Sequence, residues 1–266
     1  MTLALIAGRG FLPEYIAAAQ PTPPLICGLL DALPERLQVQ LTFRLETLGT
    51  LLKTLKSRKI THVCFCGSVA RPQLDASKLD EETVGLLPMF QKAMSAGDNG
   101  ALEIVRDIFQ QAGFEVVGAE QLLSDLIPRA GVLSSKQPNA QMRRDAARAA
   151  EVMAKLSTLD IGQACVVGRE QVLGVEAMGG TDHLLRSLPA GVSDQEAILF
   201  KAPKLGQITQ IDRPTIGVAT VEAAHQAGLG GIVIAAGGVI LLDADRCQAL
   251  ADRYRLVLWA RDGGVE

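Results

Sequence analysis

Short apolar runs alternate with stretches of helical periodicity along the first half of the chain. The runs consist mostly of apolar residues and lie at residues 3–7, 25–28, 61–66 and 114–117. Between them, apolar residues recur three or four positions apart, as at Leu48, Leu51, Leu52 and Leu55. Continuous apolar runs are typical of strands buried in a parallel sheet, and the wider spacing predicts amphipathic helices. The pattern therefore predicts an α/β fold with an N-terminal Rossmann-like parallel sheet and helices on both faces.

The pattern changes between residues 127 and 139, where prolines, glycines and serines interrupt every period. We expect the domain boundary there, with one domain over residues 1–130 and a second over 131–266. In the second half, the runs 161–167 and 171–177 are separated only by Gly168-Arg-Glu170, a connection of hairpin length. A hairpin within an α/β pattern predicts that the C-terminal domain is mixed α/β rather than purely parallel.

Composition narrows the functional classes. The net charge of -3 and the lack of a basic or aromatic stripe argue against nucleic acid as a partner. Three scattered histidines argue against a zinc site. The five cysteines include no CxxC pair, which favours buried thiols in a reducing compartment. No secretory signal and no apolar stretch of transmembrane length is visible, so we expect a cytoplasmic protein.

The first predicted strand ends in Gly8-Arg-Gly10, and a helical pattern follows. Many nucleotide-binding units begin this way, because glycines let the backbone approach a phosphate near a helix N-terminus. Pro13 stands where the dinucleotide fingerprint GxGxxG has its third glycine. Asp31 lies at roughly the right distance for a ribose-binding acid, but beyond the second strand and inside a loop. A Rossmann-type NAD(P)-binding oxidoreductase is therefore kept as an alternative interpretation.

Two further turns of the first half carry candidate polar residues. Gly67-Ser-Val-Ala-Arg71-Pro72 follows the strand 61–66, and Arg71 is either an anion contact or an ordinary surface arginine. Asp98 opens the helical pattern that runs to residue 112, and it is either a helix cap or a ligand.

The turn 201–217 concentrates charged residues between a predicted strand and a predicted helix. It holds Lys201, Lys204 and Asp212, and Pro214 restricts the backbone just after the aspartate. Such turns are where α/β proteins usually place ligand groups. A solvated loop is the ordinary alternative.

Acidic and basic residues recur at strand ends and turns beside glycine or proline. The acids are Glu176, Asp182, Asp212 and Asp98, and the bases are Arg71, Lys201, Lys204 and Arg186. Mg²⁺ needs only one or two protein carboxylates when substrate phosphates complete its coordination, and the cations would neutralise a diphosphate. Each residue alone could be a cross-strand partner, a helix cap or a solvated side chain. Together they favour a site for a phosphate ester or anhydride.

Six segments, in the same order over nearly the whole chain, resemble one enzyme family. They lie at residues 6–13, 67–72, 97–98, 159–163, 176–182 and 204–217. The most specific are Asp160-Ile-Gly-Gln163, Gly180-Thr-Asp182 and Asp212-Arg-Pro-Thr-Ile-Gly217. These motifs resemble the UDP-2,3-diacylglucosamine pyrophosphatases of lipid A biosynthesis, of the two-domain type that is unrelated to the calcineurin-like phosphoesterases.

The resemblance implies hydrolysis of the diphosphate of UDP-2,3-diacylglucosamine to UMP and 2,3-diacylglucosamine 1-phosphate (lipid X). It implies magnesium as the cofactor, with manganese kept as an alternative ion, and a glycolipid nucleotide bound between the two domains. Such a substrate would come from the inner leaflet, so we expect transient contact with the inner membrane by a cytoplasmic, peripheral protein. A homodimer is left open. A non-catalytic UDP-sugar sensor with the same site is the further alternative.

The resemblance also assigns residues. Asp212 matches the essential acid of the family, with Asp182 and Glu176 as supporting catalytic acids and with Asp212 and Asp182 as metal ligands. The residues assigned to substrate binding are Gly8, Gly10, Leu12, Pro13, Gly67, Ser68, Arg71, Asp98, Gln163, Gly180, Thr181, Lys204, Gln207 and Thr215.

Four positions depart from the family pattern. Ile208 and Gly179 stand where we expect acids, Gln210 replaces an arginine, and Asn99 replaces a second aspartate. These departures leave the number of metal ligands open and keep the sensor alternative in play.

Overall fold

The computed structural model describes residues 1–70, 73–189, 191–192 and 196–263 and divides the chain into two compact units. The first unit comprises residues 1–124 together with 208–212, and the second comprises 125–207 and 213–266. Both units are α/β, with a parallel sheet in the first and a mixed sheet in the second, so the predicted fold class is confirmed. The boundary predicted at residue 130 stays a prediction, and the sequence pattern did not predict the assignment of 208–212 to the first unit.

The first unit is built on a parallel sheet of five strands in the order β3-β2-β1-β4-β5. The strands are β1 (Leu3–Ala7), β2 (Leu25–Leu29), β3 (Leu41–Phe43), β4 (His62–Cys66) and β5 (Glu115–Val116). The central strand β1 is buried along its whole length, as its uninterrupted apolar run predicts. This strand order is that of doubly wound nucleotide-binding folds, which supports the Rossmann-like interpretation.

Helices bury both faces of this sheet. They are α1 (Leu12–Ala19), α2 (Leu48–Ser57), α3 (Leu87–Ser95), α4 (Asp98–Gln111) and α5 (Ala119–Leu122). Ala4, Ile6 and Val63 form one core with α2, α3 and α4. Successive strand residues point to opposite faces of the sheet, so Leu5 and Cys64 point away from this core. Both are fully buried, and α1 contacts β1 while α5 contacts β4.

The second unit contains a mixed sheet of six strands in the order β6-β13-β11-β9-β7-β8. Its strands are β6 (Gly131–Val132), β7 (Ala164–Gly168), β8 (Gln171–Val175), β9 (Ile198–Lys201), β11 (Gly231–Ala235) and β13 (Val257–Arg261). The short strands β10 (Thr215–Ile216) and β12 (Ile240–Leu241) form a separate parallel pair. The helices are α6 (Ala140–Ser157), α7 (Gly180–Arg186), α8 (Val218–Gln226) and α9 (Ala244–Tyr254).

The predicted hairpin joins β7 and β8, which pair antiparallel. Its two turn residues, Arg169 and Glu170, have φ angles of 50° and 63°, as a tight two-residue turn requires. Asp145 on α6 is fully buried and holds this turn. Its carboxylate accepts the Glu170 N–H at 2.6 Å and the Arg169 N–H at 3.3 Å. A buried carboxylate thereby satisfies the backbone of a strained turn.

The five cysteines are free and buried, which confirms the sequence prediction for the thiols. Burial raises the pKa of Cys27, Cys165 and Cys247 to about 12. In the part of the chain that the structure describes, no helix is both long and apolar enough to cross a bilayer.

Candidate active site

The two glycine turns of the first unit meet at the carboxyl ends of β1 and β4. Arg9 and Ser68 form an isolated antiparallel bridge, with N–H to O distances of 2.9 Å in both directions. A Cβ atom on Gly8 would lie 2.5 Å from the Ser68 carbonyl oxygen, and one on Gly67 would lie 2.7 Å from that of Arg9. The close approach of two backbones thus explains glycine at both positions. Gly8, Gly67 and Ser68, assigned separately from the sequence, are brought together at this edge.

Gly10 donates its N–H to Glu35 Oε2 at 3.0 Å. This hydrogen bond, together with the positive charges of Arg9 and Arg36, lowers the pKa of the Glu35 carboxyl. A carboxylate therefore occupies the backbone donor that a phosphate would use in a glycine turn. Sequence reasoning missed Glu35, since nothing in its own neighbourhood marks it as a partner of residue 10.

The remaining candidates of the first unit lie at helix starts. Leu12 and Pro13 form the first turn of α1, and Pro13 is buried. Asp98 is the first residue of α4 and is exposed. Gly97 is the N-cap of α4, so the capping interpretation of Asp98 was wrong by one residue. Arg71 lies outside the described residues.

Glu176, Thr181 and Lys201 form a hydrogen-bonded network in the second unit. Lys201 Nζ donates to Thr181 Oγ1 at 2.7 Å, and Thr181 Oγ1 donates to Glu176 Oε2 at 2.5 Å. Lys201 Nζ is 3.9 Å from Glu176 Oε2. The lysine and glutamate side chains are only 10% and 12% exposed. The network therefore holds a nearly buried ion pair bridged by a hydroxyl group, at the carboxyl end of β9.

Lys204 is held by two contacts in the loop that follows β9. Its ammonium group donates to Asp160 Oδ1 at 2.5 Å, and its backbone N–H donates to Gln207 Oε1 at 2.7 Å. The Lys204 side chain is 10% exposed against 32% for Asp160. The predicted substrate residues Lys204 and Gln207 are thus in contact. Asp160, known from the sequence only as part of a family motif, fixes the lysine.

Gly162 and Gln163 connect this loop to the network. Gly162 has φ 58°, and a Cβ atom there would lie 2.1 Å from the Glu176 carbonyl oxygen. The Gln163 carbonyl accepts the Ala202 N–H at 3.0 Å. The motif 160–163 therefore packs beside both Glu176 and the loop carrying Lys204.

The other candidates of the second unit are more dispersed. Gly180 begins α7 with φ 74°, and Asp182 lies exposed in the first turn of that helix. The helix N-cap is Gly179, so Asp182 does not cap it. Thr215 lies in β10, where its hydroxyl donates to the Arg213 carbonyl at 3.2 Å.

Asp212 belongs to the first unit, whereas Glu176 and Asp182 belong to the second. It closes a turn in which the Ile208 carbonyl accepts the N–H groups of Ile211 and Asp212, each at 3.0 Å. Asp212 is half-buried. Its assignment to the catalytic and metal-binding groups stays a prediction.

A three-residue metal cage is absent from the described residues, where no group of three or more His, Cys, Asp and Glu side chains could hold an ion. The Lys201 ammonium group lies 3.9 Å from Glu176 Oε2, and this positive charge disfavours a metal cation at the same carboxylate. Asp182 and Asp212 each carry carboxylate oxygens of the kind that Mg²⁺ prefers.

One cavity of the first unit lies away from the candidate site residues. A cavity of about 800 Å³ lies in the first unit beside Leu3, Leu25, Ile60 and Arg58. These residues are at or before the amino ends of β1, β2 and β4, and none is a candidate site residue. The candidates gather instead at carboxyl ends of strands, where α/β sheets bind ligands.

Two comparisons with known proteins agree with each other. Family models match both halves of the chain: the LpxI N-terminal domain over residues 2–126 and the LpxI C-terminal domain over residues 129–259. The UDP-2,3-diacylglucosamine pyrophosphatase LpxI of Caulobacter vibrioides is 37% identical over 221 residues, which cover 80% of this chain and 79% of the relative. These matches confirm the resemblance carried by the sequence motifs. The chain belongs to the LpxI family.

Proposed function

We propose that this protein hydrolyses the diphosphate of UDP-2,3-diacylglucosamine to UMP and 2,3-diacylglucosamine 1-phosphate in lipid A biosynthesis. The observation that carries the proposal is the match of both LpxI domain models, together with the relative named as a UDP-2,3-diacylglucosamine pyrophosphatase. The clustering of glycine turns in one unit and of a buried lysine network in the other supports it. As the family resemblance implies, residues of both units take part in binding the substrate.

The second unit supplies fixed positive charge for a diphosphate. Lys201 and Lys204 are nearly buried and are each held by a carboxylate, Glu176 through Thr181 and Asp160 directly. Cations held in place before substrate arrives stabilise the charge that develops on phosphate oxygens without reorganising in the reaction. In this proposal Glu176 acts by holding Thr181 and Lys201, and it touches the metal in no step.

The first unit supplies the two glycine turns and Asp212. The turn at Gly8 and Gly67 brings two backbones together at a sheet edge, and Ser68 lies exposed beside them. The N–H groups of Arg9, Gly10 and Ser68 already have acceptors in the protein, so in this proposal the turns contribute a close approach of the backbone rather than N–H donors. We assign Asp212 to the attacking water, either as its base or as a ligand of the ion that binds it.

Magnesium is part of the proposal, with Asp212 and Asp182 as its protein ligands and manganese as an alternative ion. When bound, the ion would neutralise diphosphate charge and lower the pKa of a water molecule. The carboxylates at Glu176 and Asp160 are taken up by lysines and do not join this set.

We also propose that the protein works at the inner leaflet from the cytoplasmic side, because its proposed substrate carries two acyl chains. Binding to liposomes that contain the substrate, compared with liposomes that lack it, tests this part separately from turnover.

The reaction is tested by incubating purified protein with UDP-2,3-diacylglucosamine and measuring UMP by chromatography. Release of UMP supports the hydrolase. Saturable binding of the UDP-sugar without any UMP would favour the sensor, and tight binding of NAD(H) or NADP(H) in a calorimetric titration would favour the oxidoreductase.

A further inference from the structure

The segment 208–212 belongs to the first unit, although the residues on both sides of it in the sequence belong to the second unit. It lies between β9 and β10 of the second unit, but its contacts assign it to the first unit. The segment includes Asp212, the acid on which the proposed function depends. What holds this segment in the first unit therefore decides where Asp212 is presented.

Among the described residues, two contacts help to attach the segment to the first unit. Asn99 Oδ1 accepts the Ile208 N–H at 3.3 Å. Ile211 packs against the core of the first unit that includes Ile104 and Ile108 of α4. Asn99 is the second residue of α4. The first contact is polar and directional, and the second is apolar.

The Asn99 contact reaches Asp212 through a single residue. Asn99 binds the N–H of Ile208, and the carbonyl of the same Ile208 accepts the N–H of Asp212 at 3.0 Å. Ile208 is thus held on one side by Asn99 and holds Asp212 on the other. Loss of the Asn99 acceptor would leave a half-buried N–H without its partner in this turn.

We propose that Asn99 is a positioning residue, which fixes Asp212 through the Ile208 backbone. The inference rests on the proposed hydrolase function. Asn99 does not need to touch substrate in this role. A small displacement of a reacting group lowers the rate of the chemical step far more than it weakens substrate binding. Loss of Asn99 should therefore lower kcat and leave KM nearly unchanged.

The test compares Asn99→Ala, Asn99→Asp and the control Gln110→Ala, which removes an exposed amide from the same helix. Two readouts are measured: the kcat and KM of UMP release, and the hydrogen-exchange rates of the Ile208 and Asp212 amides. We expect Asn99→Ala to speed exchange at both amides and to lower kcat about tenfold at nearly constant KM. Asn99→Asp restores both values, because a carboxylate accepts the same N–H, and Gln110→Ala changes neither.

Unchanged exchange rates in Asn99→Ala would show that Asn99 does not hold the segment. Faster exchange with an unchanged kcat would show that holding the segment does not matter for catalysis. A general loss of folding would appear as faster exchange across β1 and β4, and thermal melting of each variant checks for it. Wild-type protein without any UMP release would overturn the proposed function and the catalytic role with it. The exchange rates would still report separately whether Asn99 holds the segment.

Discussion

Lys201 Nζ lies 2.7 Å from Thr181 Oγ1, and the same hydroxyl bridges the lysine to Glu176. The Lys201 side chain is 10% exposed, so its ammonium group has lost most of its water. The hydrogen bond to Thr181 and the nearby Glu176 carboxylate offset that desolvation cost. Glu176, which the sequence suggested as a catalytic acid, is the counter-charge that makes the lysine possible. The network is therefore both a structural pair and a candidate cation for the diphosphate.

Removing the lysine should cost more stability than removing an exposed one. Lys201→Met leaves the Glu176 carboxylate nearly buried without its cation, and we expect a loss of about 2 kcal/mol in urea unfolding. The control Lys53→Met breaks a pair with Glu82 whose side chains are 71% and 46% exposed. That change should stay within about 0.5 kcal/mol of wild type. Equal losses in the two variants would contradict the burial argument.

The hydrogen bonds from the β7–β8 turn to Asp145 give a second stability prediction. Asp145→Ala removes the acceptor of the Glu170 and Arg169 N–H groups. Both N–H groups then lack this acceptor, in a turn whose two residues have positive φ angles. We expect a loss of about 2–3 kcal/mol in the free energy of unfolding. Glu151→Ala, on the exposed face of the same helix, should change it by less than about 0.5 kcal/mol. An unchanged free energy of unfolding in Asp145→Ala would show that the turn does not depend on this carboxylate.

Two glycines with similar backbone angles separate strain from close packing. Gly162 and Gly206 have φ angles of 58° and 73°, but a Cβ atom on Gly162 would meet the Glu176 carbonyl at 2.1 Å, whereas one on Gly206 would meet nothing within 4 Å. Gly206→Ala should cost about 1 kcal/mol from backbone strain alone. Gly162→Ala should cost roughly 3 kcal/mol, because the β8 end must move. Thermal unfolding of the two variants measures the difference, and equal midpoints would contradict it.

The Glu35–Gly10 hydrogen bond predicts a pH dependence. The hydrogen bond lowers the pKa of Glu35 in the folded protein. Its stabilisation is therefore present above the pKa of an unfolded glutamate, about 4.3, and is lost as the pH falls through the lower folded value. The Gly10 amide shift in NMR should titrate with a midpoint below about 4.3. Glu35→Gln should abolish that titration, and a midpoint at or above the ordinary value would argue against the bond.

The sequence predicted the long elements well, because each carries a strong periodicity. The strands β1 and β4 and the helix α4 lie within a residue or two of their predicted bounds. The short strands β3, β6 and β10 were missed, since two or three residues carry no measurable period. α3 was also missed. The apolar spacing at Leu48, Leu51, Leu52 and Leu55 lies in α2, which a 3₁₀ helix at Leu45–Thr47 precedes.

The site was predicted only in part, for a physical reason. Glycines and charges mark turns at strand ends, so the turns at Gly8, Gly67 and Lys204 could be singled out, whereas Thr181 came only from the family resemblance. Partners that come from distant segments leave no local signal: Glu35 for Gly10, Asp160 for Lys204, and Asn99 for Ile208. These contacts join residues 25 to 109 positions apart. A pattern read along one chain cannot pair such positions without the fold.

The most direct test of the account is the rate of UMP release from UDP-2,3-diacylglucosamine by wild type, Asp212→Asn and the control Asp245→Asn, each with magnesium and with a chelator. We predict magnesium-dependent turnover by wild type and by Asp245→Asn, which alters an exposed aspartate in the first turn of α9. Asp212→Asn should lose at least about a hundredfold in kcat while remaining folded. Full turnover by Asp212→Asn, or turnover that the chelator leaves unchanged, would contradict the central claim.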